Sequence, residues 1–501
     1  ILVFQAAFCV NVINFILHVF RYPNSLPARF SFIYVFMILC ICFRSIYKTK
    51  SIDKTNLIKS FFISIFFVLL LQKVVVNETV SFESFVVGII FLVAYLILSL
   101  CFLNKKYNKL VVSSVFIFLV CFEAFINMYS TSITTVTRSE YIKKFNATKI
   151  LNRYVDDMTK DFYRIEMDKR KSKDDGALYN YPSASIFSSS CYKEGMDFYE
   201  KMGMEASMNA YSITGSTPFM DSFLNVKYTY FDDSVPYAKE LNMRELKKED
   251  DLYLYENIDV LPLSFVLNDD FIEKYDFGTG NPATAQNNFA RSYNKKILLE
   301  PISIDTDGIQ SNFTVNEDGD YYAFVLDKSI DEVNYQYKNT SKKFEHTKRG
   351  YFLELGYLEK GETCGLRNDT NERDIQIQVF RFRFDNMKAL IDRIKDDSKY
   401  DMKAYDETHI SYTLDAKVKG KAMISLPYDE GWTIRVDGVE VEKEAIFDCF
   451  LGFNVDKGVH NIELSYMPKG LMIGIILSLL GIFMYIFYNI YLNRLDNYKK
   501  S

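Results

Sequence analysis

The sequence predicts a polytopic α-helical membrane protein with a large extracytoplasmic region, an α/β module followed by a jelly-roll-like β-sandwich. Three observations predict it. Apolar runs of roughly twenty residues lie near 1–20, 30–47, 57–76, 84–103, 109–129 and 470–492, and about 20 mostly apolar residues suffice for a helix to cross a bilayer. Charge is divided unevenly: residues 1–129 hold 11 Lys and Arg against 4 Asp and Glu, a net +7, while the rest of the chain stands at −12 within a formal total of −5. The long segment between the fifth and sixth runs alternates apolar and polar residues between turn signals, as a water-soluble domain does.

The membrane sector is expected over 1–129 with about five helices, and a final span with a cytoplasmic tail over 467–501. Short loops rich in Lys and Arg face the cytoplasm. Arg44, Lys48, Lys50, Lys54 and Lys59 mark the first such loop, Lys105, Lys106 and Lys109 the second, and Arg494, Lys499 and Lys500 the tail. With six spans all three fall on one side, which puts 21–29, 77–83 and 130–468 outside the cytoplasmic membrane.

The outer region divides into an α/β module over 130–300 and a β-sandwich over 301–466. In the first, "YVDDMTKDFYRIEM" reads as helix into strand, "YKEGMDFYEKMG" as a short amphipathic helix ended by Gly203, and "STPFMDSFLNVKYTYF" as a helix capped by Thr217 with Pro218 at its first position. In the second, "FTVNEDGDYYAFVL" is strand, turn, strand. In "WTIRVDGVEV", Asp437-Gly438 predicts a two-residue hairpin turn. Its register pairs Val436 with Val439, Ile434 with Val441 and Arg435 with Glu440. "CFLGFNVDKGVHNIELSYMP" repeats the pattern around Asp456–Gly458, and "FDNMKALIDRIKDD" is one helix among the strands.

Several classes are disfavoured. No basic stripe with interleaved aromatics suggests nucleic-acid binding. Cys191, Cys364 and Cys449 are the only cysteines of the polar region, enough for at most one bridge. The four histidines, His18, His346, His409 and His460, are isolated and give no metal pattern. Asp305, Asp307, Asp318 and Asp320 sit in Gly-containing turns without calcium-loop spacing.

The stretch from Pro427 to Tyr466 resembles the C-terminal segment of the bacterial YfhO-type membrane proteins, with Pro427, Gly431, Trp432, Asp437, Gly438, Gly452, Gly458, His460 and Tyr466 at matching places. "NSLPARFSF", "SIFSSS", "TPFMDSFLNVKY", "YENIDVLPLSFV" and "NPATAQNNF" resemble further segments in order. The resemblance implies a GT-C-like glycosyltransferase. Such an enzyme moves a sugar from a polyprenyl-phosphate donor in the membrane lipid to an envelope polysaccharide or teichoic acid acceptor, such as lipoteichoic acid. In GT-C enzymes the catalytic acid lies in the first outer loop. The chain opens on Ile1 inside an apolar run, so that residue is expected ahead of position 1.

Candidate site residues follow, each with a structural alternative. Arg29 and Arg21 flank the outer loop "RYPNSLPARF". A guanidinium there suits a donor phosphate, or snorkels to headgroups as an anchor. Asn11, Asn14 and His18 share one face of the first run, facing a wet cavity or bonding neighbouring helices. Glu123 is a carboxylate within the fifth run, a catalytic candidate or one side of a structural pair. Glu78, with Glu83 in the same outer loop, is of the type that holds a divalent cation or acts as base, unless it is solvated loop charge. Trp432 suits stacking on a sugar, although alternation with Ile434 and Val436 also fits a core position. Asp221, in a family-like motif, is a candidate acceptor contact or a helix-end residue. From the residues alone, a non-catalytic membrane-anchored carbohydrate-binding or envelope-assembly protein stands beside the enzyme.

Overall fold

The computed structural model describes residues 4, 7–8, 10–21, 29–48, 53–74, 82–104, 106–132, 137–278 and 280–500. Contacts divide the chain into two compact units, Ile1–Thr137 and Arg138–Ser501.

The first unit is helical. Its opening run is helical at Phe4, Ala7 and Phe8, is interrupted by the extended Val10, and resumes as α1 (Asn11–Leu17). It stops where Val19 and Phe20 take φ of 57° and 59°, left-handed values unfavourable for a β-branched or bulky side chain. The continuous span expected over 1–20 is therefore absent among the described residues. In α2 (Ser31–Lys48) the described apolar part runs over Ser31–Arg44. α3 (Lys54–Val74), α4 (Phe82–Leu103) and α5 (Lys109–Ser132) each contain a stretch long and apolar enough to cross a membrane. α3 packs on α4, and α4 on α5.

The second unit carries one more such helix, Leu471–Lys500, with an apolar span Leu471–Leu492. Across these four spans only Phe91 and Val112 are buried. A helix apolar on every side with nothing covering it requires an apolar solvent, which is a bilayer.

The rest of the second unit is β-rich. The strands Arg164–Met167 and Val226–Phe231 run parallel, and Leu252–Asn257 and Met243–Glu249 extend them. α6 (Phe145–Met158) covers this sheet through Ala147, Leu151 and Val155. Two antiparallel sandwiches follow. In the first, Phe313, Val333 and Leu366 of one sheet meet Tyr321, Leu353 and Val379 of the other. In the second, Tyr412, Ile434 and Ile462 meet Val266, Ile424 and Phe453. A third core joins α7 (Lys193–Lys201), α8 (Pro218–Phe223), α9 (Pro282–Asn294) and α10 (Phe384–Asp397) to both. The membrane helix Leu471–Lys500 is α11.

Position 300 is crossed twice. Leu299–Ile302 pairs with Ile377–Phe382, and Ser264–Asn268 pairs with Gly420–Pro427 in the second sandwich. Thr217 caps α8, its hydroxyl accepting from the Met220 N–H, with Pro218 leading the helix. The Asp437-Gly438 hairpin has the expected register, Val436 with Val439, Arg435 with Glu440 and Ile434 with Val441. Both turn residues have positive φ, 53° and 82°. The strands on either side of Asp456–Gly458 do not form a hairpin: Phe450–Val455 pairs with Gly420–Pro427 and Gly458–Tyr466 with His409–Ala416. Phe450, Leu451, Gly452 and Phe453 are all buried, so that strand lies between two cores and the chain passes from one sheet to the other. The strands Gln310–Thr314 and Gly319–Val325 likewise sit in opposite sheets.

Candidate functional site

A cavity of about 830 Å³ opens in the second unit between α7, the start of the strand Arg164–Met167 and the segment leading into α11. Arg164 lies buried at its floor. Strand alternation puts Arg164 and Glu166 on one face, and that face is sealed by packing. The guanidinium donates to the Leu224 and Ser425 carbonyls and, at 3.1 Å, to Ser425 Oγ. It lies 5.1 Å from the Phe162 ring centroid. Burial lowers its pKa, opposed by Tyr199, Tyr211 and Glu166. Glu166 accepts from Ser183 Oγ at 2.6 Å, the Ala184 N–H at 2.6 Å and Ser185 Oγ at 3.1 Å, while burial pushes its pKa up.

Tyrosines form the walls. Tyr199 donates to the Ala184 carbonyl at 2.7 Å, and its ring lies 4.4 Å from that of Tyr211. Tyr192 donates to Asp429, whose carboxylate also accepts, at 2.6 Å, from the Gly431 N–H, with the Tyr466 hydroxyl nearby. Burial raises Asp429, but these donors outweigh it and hold the pKa below the usual carboxylate value. Glu194 and Asp448 complete the rim. Aromatic faces beside fixed carboxylate and serine oxygens suit a polyhydroxylated, sugar-sized ligand, since apolar C–H faces stack on rings and hydroxyls donate to carboxylates. Pro468 and Lys469 also line the cavity. The membrane span begins at Leu471, within about 7 Å of chain length.

Trp432 is half-buried and does not line this cavity; it packs on Tyr466 at 4.9 Å and supports it from behind. Asp221 lines a different cavity, of about 750 Å³, with Asp320, Glu354 and Lys342. It accepts from Ser216 Oγ at 2.6 Å. Burial raises its pKa to about 7, the charges of Glu354, Glu166 and Asp320 adding to the effect. Asp320, buried with Tyr322 donating to it at 2.7 Å, is raised to about 7 as well, and burial raises Glu354.

In the first unit, Glu123 accepts from the Tyr95 hydroxyl, tying α5 to α4. His18 and Arg29 are brought together: the Arg29 backbone N–H donates to His18 Nε2 at 3.2 Å, and His18 Nδ1 lies 2.8 Å from the Asn14 carbonyl. Asn11 is exposed, Asn14 half-buried, and Arg21 exposed beyond the end of α1. Glu78 lies outside the described residues. Among those described, no group of three or more His, Cys, Asp or Glu side chains is arranged to hold a metal ion, and the seven described cysteines are free.

Sequence reasoning missed Arg164, Tyr192, Tyr199, Tyr211 and Asp429. One signal was available: "RIEM" places an Arg and a Glu on one face of a four-residue strand, and all four residues are buried. That pattern marks a buried polar pair.

These features define a class, a polytopic helical membrane protein with a β-rich domain. The chain belongs to the YfhO family, whose model, "Bacterial membrane protein YfhO", matches residues 1–297 and 292–478. A curated relative, "Uncharacterized protein YfhO" of Bacillus subtilis (strain 168), is 27% identical over 131 residues, 26% of this chain and 14% of that protein's length. A crystal structure of AerE from Microcystis aeruginosa aligns over 34% of this chain and 97% of its own at 10% identity, with a TM-score of 0.11; a likeness at that level carries no argument.

Proposed function

We propose that the chain is part of a GT-C-like membrane glycosyltransferase that moves a sugar from a polyprenyl-phosphate donor to an envelope polymer such as lipoteichoic acid. In this proposal the tyrosine-walled cavity holds the acceptor sugar. One observation carries it: a cavity of about 830 Å³, roomy enough for a short run of sugars, is lined by Tyr192, Tyr199, Tyr211 and Tyr466 and reaches the residues that lead into a membrane span. A lipid-linked donor and an anchored acceptor meet at that level, where tethering raises their effective concentration.

Placement outside a cytoplasmic membrane is part of the same proposal. The parity of the basic loops depends only on α3, α4, α5 and α11, each long enough to span. The interrupted first run leaves the orientation argument intact. Arg29 and Arg21 remain the candidate donor-phosphate contacts and Glu123 a candidate acid, beside its structural role with Tyr95.

A second class, a non-catalytic carbohydrate-binding membrane protein, is favoured by one feature: the cavity is built entirely from the second unit. One experiment separates the two. The full-length protein is reconstituted in liposomes with a polyprenyl-phosphate hexose and an envelope acceptor, and transfer and glycan binding are measured for wild type, Tyr199→Ala and Asp429→Asn. Transfer that weakens at least about tenfold in both variants supports the enzyme, tenfold corresponding to about 1.4 kcal/mol. Glycan binding without transfer supports the binder. Neither binding nor transfer overturns both.

A further inference from the structure

We propose that the rim of this cavity carries a lipid-docking tip, formed by Ile186, Phe187 and Met208, that rests in the headgroup region of the same bilayer that α11 enters. The proposal rests on α11 crossing a membrane and goes beyond the transferase assignment, on which it does not depend.

The tip is a small antiparallel sheet. Ile186–Phe187 pairs with Ala210–Tyr211, which pairs with Ala206–Ser207 across the two-residue turn Met208–Asn209. Packing of the sheet interior turns its apolar side chains outward: Phe187 is 58% and Met208 68% exposed. Isolated exposed apolar residues are common on soluble domains. Here they lie on uncharged segments: neither 185–192 nor 206–214 contains an Asp, Glu, Lys or Arg, in a chain whose residues are 25% charged, and the Asp174 carboxylate at their edge is engaged by the Phe187 backbone N–H at 2.8 Å. Serines, Asn209, the half-exposed ring of Tyr192 and the Asp174 carboxylate surround them. Apolar tips set among hydroxyl and aromatic groups match the boundary between headgroups and acyl chains.

Continuity with the span selects a lipid surface as the occupant. Ile186 and Tyr192 line the same cavity as Pro468 and Lys469. Tyr192 donates to Asp429, Asp429 accepts from the Gly431 N–H, and the Gly431 carbonyl accepts from the Met467 N–H at 3.0 Å. Lys469 pairs with Glu430. A run of hydrogen bonds thus holds the tip's flank against the four residues that precede Leu471. The cavity mouth is then fixed at the membrane surface, open to a ligand whose tail stays in the bilayer.

The chain's single tryptophan makes this measurable. In a Trp432→Phe background, Phe187→Trp and, separately, Met208→Trp are reconstituted in phosphatidylcholine–phosphatidylglycerol vesicles with lipids brominated near the glycerol end of the chains. Leu471→Trp, at the start of the span, is the positive control. Val459→Trp, seven residues up the strand from Tyr466 and so about 23 Å further from the span, is the negative control. Circular dichroism verifies the fold of each. Tryptophan quenching in the Phe187→Trp or the Met208→Trp protein that follows the Leu471→Trp control, at least about twofold above the Val459→Trp control as expected for a side chain at the acyl boundary, supports the docking tip. Quenching in both that stays at the level of the Val459→Trp control overturns it, and shielding of the tip by protein, whether a second copy or another part of the chain, gives that same result.

Discussion

Arg164 and Ser425, 261 residues apart in sequence, meet at 3.1 Å beneath the cavity. The guanidinium also takes the carbonyls of Leu224 and Ser425. One buried cation therefore ties the strand after α6, the end of α8 and the second sandwich into a single floor, and the tyrosine walls stand on it.

Removal of that tie exposes its worth. Arg164→Ala leaves two carbonyls and a serine hydroxyl buried without their donor, at about 1–3 kcal/mol for each unsatisfied group. The full-length protein in detergent is expected to melt lower by at least about 6 °C, from three such groups and about 2–4 °C per kcal/mol for a large domain. Arg164→Lys restores only part of the loss, because an ammonium lacks the planar fork that reaches two carbonyls at once.

The second cavity predicts a pH dependence. Burial raises Asp221 from 3.8 to about 7. The folded chain thus holds a proton that the unfolded chain releases between those values, so stability from this group is complete below about pH 4 and is lost as pH climbs to about 7. At 1.36 kcal/mol per unit, the contribution is at most about 4 kcal/mol. Asp221→Asn cannot ionise, and its amide oxygen can still accept from Ser216. In melting curves from about pH 4.5 to about pH 8.5, the variant is expected to gain on wild type as pH rises and to hold a constant lead above pH 7. A difference that is the same at every pH would show that Asp221 does not titrate in this window.

Gly420 tests the strand pairing that crosses position 300. A methyl group there would sit 2.1 Å from the Leu267 carbonyl oxygen and 2.9 Å from Asn268 Cα, both backbone atoms held in the ladder. Gly420→Ala is expected to destabilise by about 2–4 kcal/mol as the paired strands part. Gly88→Ala, where nothing lies within 4 Å, is the neutral control. Equal melting of the two variants would refute the pairing of Ser264–Asn268 with Gly420–Pro427.

In the membrane sector, Tyr95→Phe removes the hydroxyl that Glu123 accepts. Hydrogen bonds between membrane helices average about 0.6 kcal/mol and reach about 1.7, so a loss in that range is expected from unfolding in mixed micelles. If Glu123 serves only this contact, Glu123→Gln with Tyr95→Phe loses no more than Tyr95→Phe alone, and transfer activity does not change. Activity lost with the pairing intact would give the carboxylate a catalytic duty.

Legibility followed the range of the interactions. The Asp437-Gly438 turn and its register were readable because both depend on residues within a few positions: two left-handed φ values and a two-residue period. The Asp456–Gly458 segment carried a similar signal and was misread, since alternation tells which faces are buried and not which sheet supplies the partner. Trp432 was legible as a packing residue beside the sugar-contact assignment, but its role depends on Tyr466, which strand pairing sets beside it. The first apolar run reads as continuous because hydropathy is blind to the extended backbone of Val10 and to the left-handed φ of Val19 and Phe20 that end it.

By itself the sequence determined the spans in α3, α4, α5 and α11, the separation of charge between loops and domain, the Asp437-Gly438 turn and the Thr217 cap, because hydrophobicity, charge and backbone preference act along the chain. Tertiary structure alone decided that Arg164 lies under Tyr199, that Asp429 accepts from Tyr192, that Asp221, Asp320 and Glu354 share one cavity, and that an apolar tip stands beside the entry of α11. Each of these joins residues tens to hundreds of positions apart, and such meetings follow from the burial of four cores together, which no local pattern encodes.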